Sequence, residues 1–160
     1  MSAPEFVYTV YIAAPAERVW NALVDGDVTR RYWGHENRSD WQPGARWEHV
    51  RVGPGGKVDI AGKVLEVDPP HRLVTSWHSP EDEGDPARTS RVTYEITAMG
   101  EETRLVVTHS DLNEPGMRAG VSSGWPLVLS SLKSFLESGK GLAMLDRKIE
   151  EMNAEAEAAA

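Results

Sequence analysis

Cysteine is absent from the 160 residues, which excludes a disulfide framework, a thiolate metal site and a thiol nucleophile. Long apolar runs are absent too, because no segment approaches the roughly 20 residues that a membrane-spanning helix needs. Residues 1–13 show neither a basic start nor an uninterrupted apolar stretch, so we expect no secretory signal. Together these absences predict a cytoplasmic protein.

Positive charge is also scarce. The 17 Lys and Arg are outnumbered by 25 Asp and Glu, which gives a formal net charge of −8 at pH 7. Nucleic-acid binding draws on clustered cations, and the adjacent pair Arg30 and Arg31 suits a solvated helix face better than a phosphate contact. We therefore expect no nucleic-acid partner, and the absence of long apolar runs predicts no membrane partner.

The chain does have enough apolar surface for one core, and an unusual number of tryptophans. Hydrophobic residues make up 40% of the 160 residues, a length that suits a single domain. Six residues are Trp. Because a buried indole N–H needs a partner, we expect some of these side chains to line a cavity or an interface rather than fill a dry core.

An amphipathic segment at about residues 117–137 organises the chain. Its apolar residues recur at the three- and four-residue spacings of one helical face: Val121, Trp125, Val128, Leu129, Leu132, Phe135 and Leu136. Pro126 interrupts the pattern, because proline either begins a helix or kinks one. Local rules alone favour a helix that starts near Trp125.

The residues before this segment alternate between apolar and polar, which is typical of strands with one buried face. We predict a strand over 5–13, a helix opened by Pro15, a second helix capped by Asp27 and ended by Gly34, and a loop over 35–45. Five further strands are predicted over 46–52, 58–67, 72–78, 88–98 and 104–110, with an exposed acidic loop over 79–87.

This order of elements, with helices segregated from an antiparallel sheet, indicates an α+β domain. It places residues 1–145 in a single domain, whose sheet the long helix covers, and leaves residues 146–160 as a Glu- and Ala-rich C-terminal tail. The tail shows no strong apolar stripe, so we expect fraying or oligomer contacts rather than a function of its own.

Several short motifs occur in a fixed order: Ile12-Ala13-Ala14-Pro15, Tyr32-Trp33, Val67-Asp68-Pro69-Pro70, Thr75-Ser76-Trp77 and Gly124-Trp125-Pro126. With them, the chain resembles the START-like or SRPBCC superfamily over about residues 5–138. Within it, the chain is similar to the branch of activator of heat-shock protein ninety ATPase homologues. The resemblance implies a helix-grip fold: a curved antiparallel sheet wrapped around a long C-terminal helix, with an apolar cavity between them and two short helices between the first two strands. It also implies that the long helix runs through Pro126 with a local kink, and we prefer this earlier start.

Large amphipathic residues on the covered faces are the candidates for a ligand site. They are Trp47, His49, Trp77, Tyr94 and His109 on strands, Tyr32, Trp33 and Trp41 on the second helix and its loop, and Val121, Trp125, Leu129 and Leu132 on the long helix. Such a set suits an apolar cavity with a few orienting polar groups, although a filled core uses the same residue types. The histidines lack a zinc-ligand spacing, and residues 53–56 lack the Lys of a phosphate loop. We therefore expect no metal and no cofactor.

Three functions stay open. The leading one is binding of a small hydrophobic or aromatic molecule, lipid- or polyketide-like, by a protein without enzymatic activity. The second, implied by other superfamily members, is a cyclase, hydratase or hydrolase in which His109, His49 and Glu66 converge. The third is a co-chaperone, a regulator's partner or a homodimer, which requires an exposed apolar patch.

Overall fold

Seven antiparallel strands form one sheet in this computed structural model, which describes residues 5–114 and 116–159. The strands are β1 (Phe6–Ile12), β2 (His35–Ser39), β3 (Arg46–Arg51), β4 (Val58–Asp68), β5 (Arg72–Trp77), β6 (Ser90–Met99) and β7 (Glu102–Ser110). Their order across the sheet is β1-β7-β6-β5-β4-β3-β2. The predictions about a signal and about the domain include residues 1–4, which lie outside the described ranges. The prediction about the tail includes residue 160, which also lies outside them.

Two short helices carry the chain from β1 at one edge of the sheet to β2 at the other, as predicted. They are α1 (Ala16–Val24) and α2 (Gly26–Trp33). Gly34 ends α2 in the left-handed conformation, with φ of 69°. The predicted N-cap of α2 was wrong by two positions, because the carboxylate of Asp25 accepts the backbone N–H of Asp27 at 2.9 Å. Asp27 itself lies in the first turn, where a negative charge favours the helix dipole.

The long helix, α3 (Met117–Ser138), is continuous through Pro126, which confirms the earlier of the two predicted starts. Proline lacks the N–H that would bond the carbonyl of Ser122, and the helix tolerates this loss. Its buried face packs on the sheet through Trp125, Val128, Leu129, Leu132 and Leu136. The α+β helix-grip fold is therefore confirmed.

Strand β2 lies where a loop over 35–45 was predicted. Its sequence, from His35 to Ser39, contains no apolar residue, so hydrophobic alternation could not reveal it. The alternation is instead between buried and exposed polar side chains. His35 and Asn37 are buried, and their polar atoms hydrogen-bond Asp59 and His49, respectively.

The loop over 79–87 contains two short 3-10 helices, Pro80–Asp82 and Pro86–Arg88. After α3, the chain forms a further helix, α4 (Ala143–Ala159). Leu145 and Ile149 of α4 are buried, so the helix begins inside the predicted domain and its first half packs on that domain. The boundary at residue 145 stays a prediction. Within the described residues, no helix is long and apolar enough to cross a membrane.

Candidate functional site

A cavity of about 490 Å³ lies between the sheet and the N-terminal half of α3. Sheet strands, the loop over 79–88 and the start of α3 all contribute to its wall. The lining residues are Trp33, Ile60, Trp77, His78, Ser79, Asp82, Arg88, Ser90, His109, Leu112, Glu114, Gly116, Met117, Gly120, Val121, Gly124, Trp125 and Val128.

One face of α3 forms a long side of the cavity. Gly120, Val121, Gly124, Trp125 and Val128 all line it, and their spacing is that of one helical stripe. A Cβ atom added at Gly120 or Gly124 would meet no other atom within 4 Å. Glycine inside a helix costs about 1 kcal/mol relative to alanine. The two glycines therefore keep space open at a cost in helix stability, and no close packing requires them.

The inner end of the cavity is aromatic. The ring centroid of Trp125 lies 5.5 Å from that of Trp33 and 5.8 Å from that of Trp77. The His109 ring stands edge-on to Trp77 at 5.4 Å. Trp33, Trp125 and His109 are buried, whereas Arg88, Gly116 and Gly120 at the other end are exposed. The cavity therefore runs from an exposed polar mouth to an apolar interior.

A chain of hydrogen bonds fixes His109 in one neutral form. The indole N–H of Trp125 donates to Nδ1 of His109 at 3.1 Å, and an indole nitrogen can only donate. The ring proton must therefore be on Nε2, which donates to the hydroxyl of Ser90 at 2.7 Å. The Ser90 hydroxyl then donates to the carbonyl of Trp77 at 3.2 Å. Burial lowers the pKa of His109 to about 4.

His49 lies outside the cavity, in a second polar cluster with His35, Asn37, Arg51 and Asp59. This cluster lies beneath α4, where Arg51 donates to the carbonyl of Met152. The Nδ1 atom of His49 lies 2.5 Å from Oδ1 of Asn37, and the His49 ring stacks on His35 at 3.9 Å. Burial, and then the charge of His35, hold the pKa of His49 well below its usual range. Although burial raises it, hydrogen bonds from His35 and Arg51 lower the pKa of Asp59 to about 2.

Of the twelve predicted site residues, the structure brings five together around the cavity: Trp33, Trp77, His109, Val121 and Trp125. The other seven lie elsewhere in the core or beside it: Tyr32, Trp41, Trp47, His49, Tyr94, Leu129 and Leu132. Alternation along a strand predicts which face a residue occupies but not its position along that face. The cavity occupies one end of the covered face, and tightly packed side chains fill the other.

Four of these seven residues have well-defined surroundings outside the cavity. The Tyr32 hydroxyl donates to the carbonyl of Ala22 at 2.6 Å, and Nε1 of Trp47 donates to the carbonyl of Ser76 at 2.8 Å. Trp41, Trp47 and Tyr94 border a separate void of only about 10 Å³. As ligand contacts, the twelve residues stay predictions.

Most residues of the mouth were not predicted from the sequence. His78, Asp82, Arg88 and Glu114 are polar residues in or beside segments that were predicted as loops or strand ends, where no periodic pattern marks a site. The position of Ser90 could have been recognised from the sequence, since it lies on the same buried face of β6 as Val92 and Tyr94. A hydroxyl at such a position usually has a polar partner within the core.

The groups proposed for an enzyme do not converge. His109 lines the cavity, His49 lies in the second cluster, and Glu66 is exposed and pairs with Arg72 at 2.8 Å. Protonation of His109 on Nδ1 would also displace the hydrogen bond from Trp125. The arrangement therefore offers no general base built from these three residues.

The fold and the cavity define a helix-grip protein in which the long helix α3 and a curved sheet enclose a space of ligand size. A family model, described as Activator of Hsp90 ATPase homolog 1-like protein, matches residues 13–137. The chain belongs to this family. No curated protein sequence matches it significantly.

Solved structures show the same similarity. The crystal structure of CalU16 from Micromonospora echinospora is 27% identical, with a TM-score of 0.68 over 98% of this chain and 87% of that one. An HSP90 activator from Plasmodium falciparum is 26% identical, with a TM-score of 0.62 over 76% of this chain and 86% of that one. The Aha1 dimer from Colwellia psychrerythraea, at 22% identity and a TM-score of 0.70 over 86% of this chain and 99% of that one, shows the fold alone.

Proposed function

We propose that the protein binds a small apolar or aromatic molecule, lipid- or polyketide-like, in the cavity between the sheet and α3. The observation that carries this proposal is the open space of about 490 Å³ faced by Gly120 and Gly124. Ligand sites commonly have volumes of about 300–1,000 Å³ and mostly apolar walls. Two glycines inside one helix lower its stability, and the space that they leave open supports a ligand site.

The polarity of the wall constrains the ligand. At the inner end, both hydrogen-bonding atoms of His109 are occupied, so the part of a ligand that contacts this ring must be apolar or aromatic. The indole N–H groups of Trp33 and Trp77 have no acceptor among the described residues, unlike those of Trp47 and Trp125. These two donors support a ligand that carries an oxygen acceptor, such as a ketone or an ether.

A pair of variants tests the proposal. Gly124→Leu places a side chain in the cavity, whereas Ser123→Leu adds the same side chain at the neighbouring exposed position. Calorimetric titration with 2-methoxynaphthalene should show binding to the wild type and to Ser123→Leu, and a loss of at least about ten-fold in affinity for Gly124→Leu. Equal affinity for all three proteins, or binding to none, would refute a ligand site at this place.

Native mass spectrometry of protein purified without detergent complements this test. An additional mass on the wild type that solvent extraction releases, and that Gly124→Leu lacks, would identify the natural ligand. An additional mass retained by Gly124→Leu would place the ligand elsewhere.

A second candidate is a protein–protein contact, such as activation of a chaperone ATPase or homodimer formation. The relatives include an HSP90 activator and a dimer. Val7 and Tyr11, which are 53% and 54% exposed, lie on the same face of the edge strand β1. A double variant, Val7→Glu with Tyr11→Glu, should abolish any stimulation of HSP90 ATPase activity and any dimer seen by analytical ultracentrifugation. Wild-type protein that is monomeric and does not stimulate ATPase activity would exclude this candidate.

A further inference from the structure

We infer that His78 provides a hydrogen-bond acceptor at the mouth of the cavity, and that it selects ligands with a neutral hydroxyl group, above all a phenol or an enol. The inference rests on the proposed function, because it concerns the same cavity. It adds a chemical requirement that the apolar wall alone does not impose.

The backbone holds His78 firmly in place. Just beyond the end of β5, His78 and Ala61 exchange two backbone hydrogen bonds, each of 2.9 Å. The ring is fixed as well, because its Nδ1 lies 2.8 Å from the carbonyl oxygen of Ser79. A carbonyl oxygen can only accept a hydrogen bond, so Nδ1 carries the proton and the neutral ring has its lone pair on Nε2.

The Nε2 atom of His78 has no hydrogen-bond partner in the described part of the chain. The residue is only 8% exposed, yet Nε2 is still reachable by solvent. Among the described residues, the fully buried side-chain N and O atoms without a partner belong to Thr75 and Arg104. We place this free acceptor against the ligand because His78 also lines the cavity. A donor on the ligand would satisfy it.

The contrast with His109 supports this assignment. Both histidines line the cavity, but Trp125 and Ser90 occupy both ring nitrogens of His109. His78 uses one nitrogen for Ser79 and keeps the other free. Of the two rings, only the one at the mouth can therefore accept a hydrogen bond from a ligand without losing one of its own.

The charges around His78 favour a neutral donor over an anion. Oε1 of Glu83 lies 3.9 Å from Nε2 of His78, and Arg46 forms an ion pair with Glu83 that lowers the pKa of this carboxyl. Glu83 is therefore a carboxylate that is already paired with Arg46, and it offers an anionic ligand group near Nε2 no attraction. Arg88 lies 3.8 Å from Asp82, so the nearby cation already has a partner.

A pair of probes, one with the O–H donor and one with that hydrogen replaced by a methyl group, tests the inference. Calorimetric titrations would compare 2-naphthol with 2-methoxynaphthalene, which has the same ring system without the O–H. We expect the wild type to bind 2-naphthol about five-fold more tightly, the gain typical of one net hydrogen bond. His78→Leu and His78→Phe should lose this preference for 2-naphthol. His71→Leu, at an exposed histidine between β4 and β5, is the matched control and should keep the wild-type preference.

The possible outcomes separate the two proposals. If the wild type binds both probes with equal affinity, the inference about His78 is wrong while the proposed function stands. A preference for 2-naphthol that survives in both His78 variants also overturns the inference, since another group then accepts the O–H. Binding of neither probe overturns the proposed function, and with it the role of His78.

Discussion

At the scale of single residues, His109 explains how the cavity keeps its shape. Its two hydrogen bonds join Trp125 on α3 to Ser90 on β6, while His109 itself lies on β7. Three elements are thus tied together by a neutral imidazole, and each donor has one acceptor. A buried network in which every polar atom is satisfied fixes the relative position of its elements. Here it sets the distance between helix and sheet at the inner end of the cavity.

The protonation of His109 predicts a loss of stability in acid. Its pKa falls from the ordinary 6.5 to about 4 in the folded protein, so between these values the unfolded chain binds a proton that the native protein does not. Stability is therefore lost as the pH falls from about 6.5 to about 4, by about 2.5 kcal/mol from this group at about pH 4.5. Denaturant unfolding at about pH 7 and pH 4.5 measures the loss.

The matched variant for this prediction is His109→Gln, whose amide oxygen can accept from Trp125 and which does not titrate. It should lose about 2.5 kcal/mol less than the wild type over the same pH interval. His49, whose pKa is also lowered, contributes equally to both proteins and cancels in the comparison. Identical losses in the two proteins would show that His109 is not the responsible group.

At the scale of elements, α3 borders the cavity with two glycines, Gly120 and Gly124, that lower its helix stability. Gly124→Ala should raise the free energy of unfolding by about 0.5–1 kcal/mol, because the new methyl group meets no atom within 4 Å and alanine is the better helix former. Gly141→Ala is the opposite case, since its Cβ would lie 2.8 Å from Oγ of Ser131 and 2.9 Å from the carbonyl oxygen of Arg31. That variant should lose about 1–3 kcal/mol. If denaturant unfolding shows that both variants have a higher free energy of unfolding than the wild type, or that both have a lower one, this account is wrong.

Helix α4 is predicted to be part of the stable fold. Ile149 packs where a Cβ at Gly34 would lie, and the Asn153 side chain donates to the carbonyl of Val52 at 3.0 Å. Ile149→Ala should therefore lower the free energy of unfolding by about 2–4 kcal/mol. Lys148→Ala, at an exposed position on the same helix, should change it by less than about 0.5 kcal/mol. A small effect of Ile149→Ala in thermal or denaturant unfolding would mean that α4 is detached in solution.

The elements differed in how far the sequence alone could predict them. β6 and β7 were predictable because Val92, Ile96, Leu105 and Val107 alternate with polar neighbours, and all four are buried. β2 could not be predicted, because its buried side chains are polar and depend on partners that are distant in the sequence. α4 was obscure for a related reason. Its buried stripe is short. Its contacts are with Gly34 and with the backbone carbonyl of Val52, and no local sequence pattern can reveal contacts with residues so distant in the chain.

The site was predictable to a lesser extent than the fold. Trp77 and Trp125 were found because large amphipathic residues on a covered face favour a cavity, and both line it. His49 satisfied the same rule but lies in the cluster beneath α4. Ser90 was missed although its buried position on β6 indicated a polar partner. His78 was missed because a site depends on which side chains leave space, and this residue type does not signal space. The volume of a cavity is a property of the packed whole and is not encoded at any one position.

At the scale of the whole molecule, the position of the cavity couples ligand binding to global stability. Its wall combines β5, β6, β7 and α3, the elements that also supply much of the hydrophobic core. The cavity therefore exists only while helix and sheet are packed together, and the unfolded chain has no equivalent site. A ligand of the native protein must then stabilise the fold as a whole.

This coupling predicts a thermal shift of defined size. With free 2-methoxynaphthalene at about 100 times its dissociation constant, the native state gains about 2.7 kcal/mol. For a chain of 160 residues, that gain raises Tm by about 5–10 °C. Differential scanning calorimetry should show this rise for the wild type and for Ser123→Leu, and a rise of no more than about 1 °C for Gly124→Leu. If the probe binds in titrations but leaves Tm unchanged, it occupies a surface that persists after unfolding, and the cavity between helix and sheet is not its site.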